Sequence, residues 1–413
     1  MGVNFNLKTL TVALAALSAA SIASAAGLDR SGQDITAFLQ DGVYAEAVYT
    51  YLDADVSGYD NAYVGADKNA YQQGNKIDDI AESYDFFRYG VKTDINDTFS
   101  VGVLYDEPFG AAANYSGDNK FVDQNPASPR NGEGTNVEVR TENITGILGA
   151  KFGENKEFQV YGGPVAQRVQ ADVKLRGTAY QAANGYTTHI TADQDYGWLA
   201  GVAYSKPEIA LQAALTYRSE IDHTLGLSEV FPALAGAIPN AATGVNGEID
   251  ITTPKSVNFD FQTGINPTTL ATAKVRWVPW GDFSIVPPLY NAVSKNNPAY
   301  GPDGLALVEY AYDQWQVELG LAKRIMPALA VSGTVGWDSG SGDPTTSLGP
   351  IDGYYSVGLG AKYNVTPEWA VSAGGKYLWF GDAKGQLPTQ QIVGDFQDND
   401  VYIVGVKLSY QGN

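Results

Sequence analysis

The chain contains no cysteine in its 413 residues, which excludes a disulfide framework and thiolate metal sites. Histidine is almost as scarce. His189 and His223 are the only two, and neither sits in a metal-spaced pair. There is no G-x-S-x-G elbow and no phosphate-binding P-loop, so common routes to hydrolysis and phosphoryl transfer are missing. Positive charge is also sparse: 26 Lys and Arg face 46 Asp and Glu, for a net charge of −20. A nucleic-acid binder needs a basic footprint, so no nucleic-acid partner is expected. Beyond the first 25 residues no apolar run approaches the roughly 18 residues of a transmembrane helix. These absences predict a protein that is not an enzyme and needs no cofactor or metal.

What is present starts at the N-terminus. Lys8 precedes an apolar stretch from Leu10 to Ala20, followed by Ala23-Ser24-Ala25. That order is a secretory signal peptide. Cleavage after Ala25 is expected, one residue later being an alternative, and the loss of Lys8 takes the charge from −20 to −21. The exported chain is rich in glycine and tyrosine, with 46 and 26 residues. Such a composition suits β structure with many turns, including a transmembrane barrel.

The connections alternate in length. Short ones rich in Pro, Asn, Asp and Gly fall near 94–99, 153–157, 205–208, 264–269, 324–328 and 364–368. Long ones cover roughly 58–79, 118–133, 178–193, 227–247, 285–304, 339–353 and 382–398. Six short turns and seven long loops make thirteen connections, hence about fourteen strands. An even count places both termini at the short-turn, periplasmic end.

The faces agree with this. Trp369, Val371, Ala373, Gly375, Tyr377 and Trp379 share one side of a strand; Ser372, Gly374 and Lys376 share the other. Leu329, Val331, Val335 and Trp337 alternate with Ser332, Thr334 and Asp338. Aromatics at the ends of apolar faces are the interfacial girdles of a lipid-facing wall. A soluble sandwich also alternates, but strictly alternating loop length behind a signal peptide favours the barrel. The expected fold is all-β: a transmembrane antiparallel up-and-down β-barrel in the outer membrane. Its divisions are a signal peptide at 1–25, an N-terminal plug at 26–42 and the barrel from 43 to 413.

One strand is interrupted. In "VGVLYDEPFGAAANY", 101–115, a good strand meets Pro108-Phe109-Gly110 and then resumes. Proline cannot donate to a ladder and glycine weakens a strand interior, so this is a bulge or a deliberate gap.

Several segments resemble the FadL-type outer-membrane transporters of long-chain fatty acids and aromatic hydrocarbons. They are "ALTYRSEIDHTLG" at 214–226, "TPKSVNFDFQTGINPTTLATAKVRWVPWGDF" at 253–283, the run from Ala47 to Gly58 and "YDEPFGAAANY". The resemblance runs through essentially the whole exported chain. It implies a fourteen-stranded barrel with an N-terminal plug, passive uptake of hydrophobic molecules, and lateral release through a kink in the third strand. Pro108, Phe109 and Gly110 are then the lateral gate. The plug is short here and lacks the Asn-Pro-Ala motif of many members. Expected partners are hydrophobic small molecules, outer-membrane lipid and lipopolysaccharide. A porin-like channel for small polar or cationic solutes is the alternative, motivated by the acidic excess and the short plug.

Candidate ligand contacts follow. Phe231, Leu234 and Ile238 lie in the most apolar long loop, as an outer landing site or as a small lid core. Arg168, Lys274 and Arg276 are candidates to meet a carboxylate from the lumen, or to pair with the many acids. Arg218 and Glu220, two apart, are expected on one face, and His223 at a strand rim.

Overall fold

The computed structural model describes residues 28–412. The expected signal peptide and residues 26 and 27 lie outside them. Fourteen antiparallel strands close into a barrel. They are β1 (Tyr44–Asp55), β2 (Tyr84–Asp94), β3 in two pieces (Phe99–Asp106 and Gly110–Asn114), β4 (Asn136–Phe152) and β5 (Phe158–Lys174). Next come β6 (Thr187–Lys206), β7 in two pieces (Leu211–Arg218 and Ile221–Val230) and β8 in two (Val245–Thr253 and Ser256–Asn266). β9 (Thr269–Val278), β10 (Gln314–Met326), β11 (Leu329–Asp338), β12 (Tyr354–Asn364), β13 (Trp369–Phe380) and β14 (Asp400–Gln411) complete the wall. Tyr44 pairs with Gln411 and Asp55 with Asp400, so the last strand closes on the first. Closure removes the sheet edges that lipid cannot satisfy.

The alternation predicts the wall correctly. On β13 Trp369, Val371 and Trp379 are exposed, while Ala370, Ser372 and Leu378 are buried inside. On β14 Tyr402, Val404, Val406 and Leu408 face out, and Lys407 and Ser409 face in. Among the described residues no helix is long and apolar enough to cross a membrane; the strands do it.

Two things fill the barrel. From the short-turn end, residues 28–42 run inside the lumen, mostly buried as far as Leu39 and emerging at exposed Asp41. Ile35, Phe38 and Leu39 of this segment pack with Leu104, Ile147, Tyr161, Leu199 and Ala214 of the wall. Glycine makes the space: a Cβ on Gly102 would lie 2.8 Å from Phe38 and one on Gly149 2.9 Å from it. At the other end the long loops fold over the mouth. Thr345–Thr346, Ala383–Gln386, Ile392–Phe396, Gly58–Asn61 and Gln73–Ile77 form a five-stranded sheet there. A helix, α1 (Pro288–Lys295), lies in the longest loop with its first backbone N–H groups held by buried Glu229.

Candidate functional site: an apolar cavity beside a break in the wall

β3 carries one residue more than its neighbour. Between the pairs Asp106↔Asn143 and Gly110↔Arg140 it has three residues where β4 has two. This is a β-bulge, and it shifts the faces. Before it Leu104 and Asp106 point inward; after it Ala111 and Ala113 do, opposite buried Val139 and Val137. β2 has no compensating residue, since Phe86, Arg88, Gly90 and Lys92 stay on the lumen side throughout. Beyond the bulge, residues of β2 and β3 that should pair point to opposite faces. The ladder therefore runs from Asp94↔Ser100 to Tyr89↔Tyr105 and stops, and only an isolated bridge, Ala81↔Ala113, rejoins the two.

Freed backbone groups at the kink find partners inside the protein, which lipid could not supply. Phe109 N donates to Thr141 Oγ1 at 2.8 Å, and Phe109 O accepts from the same hydroxyl at 2.7 Å. Phe87 N of β2 donates to the Glu107 carboxylate at 3.4 Å, and the N-terminal segment takes two more. Arg30 N donates to Pro108 O and Gly110 N to Leu28 O, both at 2.7 Å. Residues 28–30 thus lie as a short extra strand along the kink, with Asp29 bridged to Phe109. Buried Arg30 places its guanidinium 4.0 Å over the Tyr84 ring of β2, across the break. The guanidinium lies directly over Gly110: a Cβ there would come within 2.3 Å of Arg30 Cζ and would push it aside.

The segment is held by ions as well as by Phe38. Arg276 of β9 grips Asp29 with Nε at 2.7 Å and Nη2 at 3.0 Å, and also reaches Gln33 and Asn258. Asp34 sits between Lys274 at 2.9 Å and Arg88 at 3.2 Å. Ser31 donates to Asp106 at 2.7 Å.

On the lumen side of the break lies a cavity of about 50 Å³. Leu28, Ala111–Ala113, Val137, Leu348, Ile351 and Tyr310 are among its lining residues, and among the described residues no lining side chain carries a charge. Burial pushes the Tyr310 phenol up, so it too is neutral at working pH. A second space of about 210 Å³ lies outside, among the loops after β9, β11 and β13, and shares Tyr310 and Thr346 with the cavity.

The family model for outer membrane protein transport protein (OMPP1/FadL/TodX) matches residues 13–411. The chain belongs to this family. It is an outer-membrane β-barrel, and its family is one of transport channels. The chain is similar in fold to a Pseudomonas aeruginosa FadL homologue, at 14% identity over 98% of each chain with a TM-score of 0.69. The toluene transporter TodX of Pseudomonas putida is 11% identical over 91% of this chain and 92% of its own, at 0.58. Ralstonia pickettii TbuX, also named a toluene transporter, is 11% identical over 94% and 95%, at 0.56. No curated protein sequence matches.

Within this FadL-family barrel the expected residues divide. Pro108, Phe109 and Gly110 form the kink. Lys274 and Arg276 face the lumen, and both hold the N-terminal segment rather than standing free. Arg168 does not face the lumen. Its neighbours Gln167 and Val169 are buried inside, whereas Arg168 is exposed on the outer face opposite Glu142. Strand parity, invisible to a family resemblance, decides this. Arg218 and Glu220 also part: an irregularity at 219–220 leaves Arg218 buried and Glu220 exposed. His223, expected at a rim, is 1% exposed inside the lumen. Phe231 is buried in the loop core against Tyr186, ring centroids 5.3 Å apart, with half-buried Leu234 and Ile238 packed beside that core. Arg30, Tyr84 and the alanines 111–113 escaped sequence reasoning. The run of three alanines directly after the kink was the available signal.

Proposed function

We propose that the barrel takes up uncharged apolar molecules, monoaromatic or aliphatic hydrocarbons, and releases them sideways into the outer leaflet between β2 and β3. One observation carries this reading. The cavity beside the break has a wholly uncharged lining, and its wall includes the lumen face of the bulged half of β3. A carboxylate moved there would lose its hydration without a partner, at a cost of several kcal/mol. The outer space that shares Tyr310 and Thr346 supplies the way in. At about 50 Å³ the cavity is smaller than the roughly 150 Å³ apolar cavity that holds benzene. Loading must therefore widen it, and Leu28 is the lining residue not built into the sheet or the loops. Residues 28–42 act as the plug in this reading, and Arg30 over Tyr84 bars the break until the plug shifts.

Fatty acids are the second reading, and Arg218 favours it. This buried arginine has a 3.3 Å bond to Thr145 and, among the described residues, no carboxylate in ion-pair range. Uptake of labelled toluene and of labelled laurate by protein in liposomes separates the two. Saturable toluene uptake with little laurate uptake is expected. Laurate uptake that falls in Arg218→Met selects the fatty-acid reading. Free leakage of small polar solutes with neither label moving makes the protein a porin.

A further inference from the structure

The wall has a second break, between β6 and β7. These strands pair from Leu211↔Lys206 to Arg218↔Leu199 and again from Leu227↔Ile190 to Val230↔Thr187. Between these stretches Ser219 bonds both backbone groups of Trp198, at 2.9 and 3.0 Å. From Thr191 to Gly197 no ladder joins β6 to β7. Staggered irregularities are the cause. β6 carries an extra residue at 191–192, seen as the shift between Val169↔Asp193 and Ala171↔Ile190, whereas β7 changes face at 219–220. Between those points Asp193, Asp195 and Gly197 face the lumen, as their partners Val169, Gln167 and Val165 do. The β7 residues opposite them face outward. An antiparallel pair cannot form between residues on opposite faces.

The character of this seam differs from the first. Its level is set by the outer face, where the row Glu142, Arg168, Gln194 gives way to Ile144, Ala166, Tyr196. Exposed Tyr196 and Trp198 are girdle residues, so the seam opens at the headgroup level. Its outer lip carries Glu220 and Asp222, with Lys255 paired to Glu220 at 3.4 Å and Asp250 bonded to Thr224. Behind it lies a polar belt. His223 bonds Gln167 at 3.0 Å, and Gln167 donates to Asn143 at 2.9 Å. His223 Nδ1 is buried without a hydrogen bond and faces Asp195 Oδ2 at 3.5 Å. Asp193 and the 39% exposed side chain of Asp195 reach solvent although they point inward, while Gln167, Val169 and His223 around them are buried.

We propose that the β6–β7 seam is a second window, one that admits water and small cations to the polar belt and excludes anions and apolar molecules. The lumen-side carboxylates Asp193 and Asp195 set the sign. The window does not depend on what the apolar cavity carries. It gives water a way out when an apolar molecule enters from the loops.

The cysteine-free chain makes the test direct. His223→Cys in the full-length protein, folded in liposomes, is treated with a cationic and with an anionic methanethiosulfonate. The cationic reagent should react on the order of tenfold faster or more. Asp193→Lys with Asp195→Lys should reverse that preference; if this double variant does not insert, Asp195→Asn should shrink it. Val139→Cys, in the apolar cavity, reports the route through the loops. Failure of His223→Cys to react overturns the proposal. So do equal rates for the two reagents, a preference insensitive to the aspartates, or the same rates and preference at Val139→Cys.

Discussion

The two breaks in the wall have one geometric origin and opposite chemistry. In each, an extra residue on one strand is not matched opposite on its neighbour, so facing residues lose their common side and the ladder opens. Between β2 and β3 the opening is backed by alanines and valines and closed by Leu28–Arg30. Between β6 and β7 it is backed by His223, Gln167 and two aspartates, and among the described residues the N-terminal segment makes no backbone bond there. A bulge thus sets where the ladder parts, and the lumen faces behind the two seams differ in chemistry.

The strongest way to break the pair apart is to heal one seam alone. Deleting Pro108 removes the extra residue of β3 and realigns it with both β2 and β4. Uptake of an apolar label should fall at least about tenfold if lateral release is the route, as blocking a required path does. Cationic labelling of His223→Cys should persist in the same variant. Next in size is Arg276→Ala, which strands the buried Asp29 carboxylate at about 3–5 kcal/mol. The N-terminal segment should undock, read as new single-channel conductance and as proteolysis near residue 30. Gly102→Ala presses a Cβ to 2.8 Å from Phe38 and should weaken the same docking by about 1–3 kcal/mol. Asp193→Lys with Asp195→Lys alters only the second seam, so apolar uptake should stay within about twofold of the parent while reagent preference reverses. Arg168→Ala should do least, within about 0.5 kcal/mol of stability and with unchanged uptake, because the side chain lies outside.

Much of this was legible in the residues. The six short turns fell where Pro, Asn, Asp and Gly cluster, because each of those residues has its own mechanical reason to turn a chain, whereas the loop expected at 178–193 ends early, where β6 begins at Thr187. The outward faces of β11, β13 and β14 followed from period-two alternation, which a half-lipid, half-lumen wall enforces. The kink at Pro108 was readable from the missing donor. The lumen contacts were harder. Arg168 was assigned inward from resemblance, and one step of strand parity reverses it. Arg218 and Glu220 parted because nothing in "YRSEID" announces the irregularity between them.

The sequence by itself determined that this chain is exported, that it crosses the membrane with strands, how many strands it uses, and that β3 is broken. These are local properties, carried by composition, period and turn residues. Only the tertiary structure decided which charges pair, where the N-terminal segment docks, and that the β6–β7 ladder is interrupted. Those depend on what stands opposite each residue across the barrel. Arg276 lies 247 residues from Asp29, and a bulge opens a seam only if the neighbouring strand lacks its match.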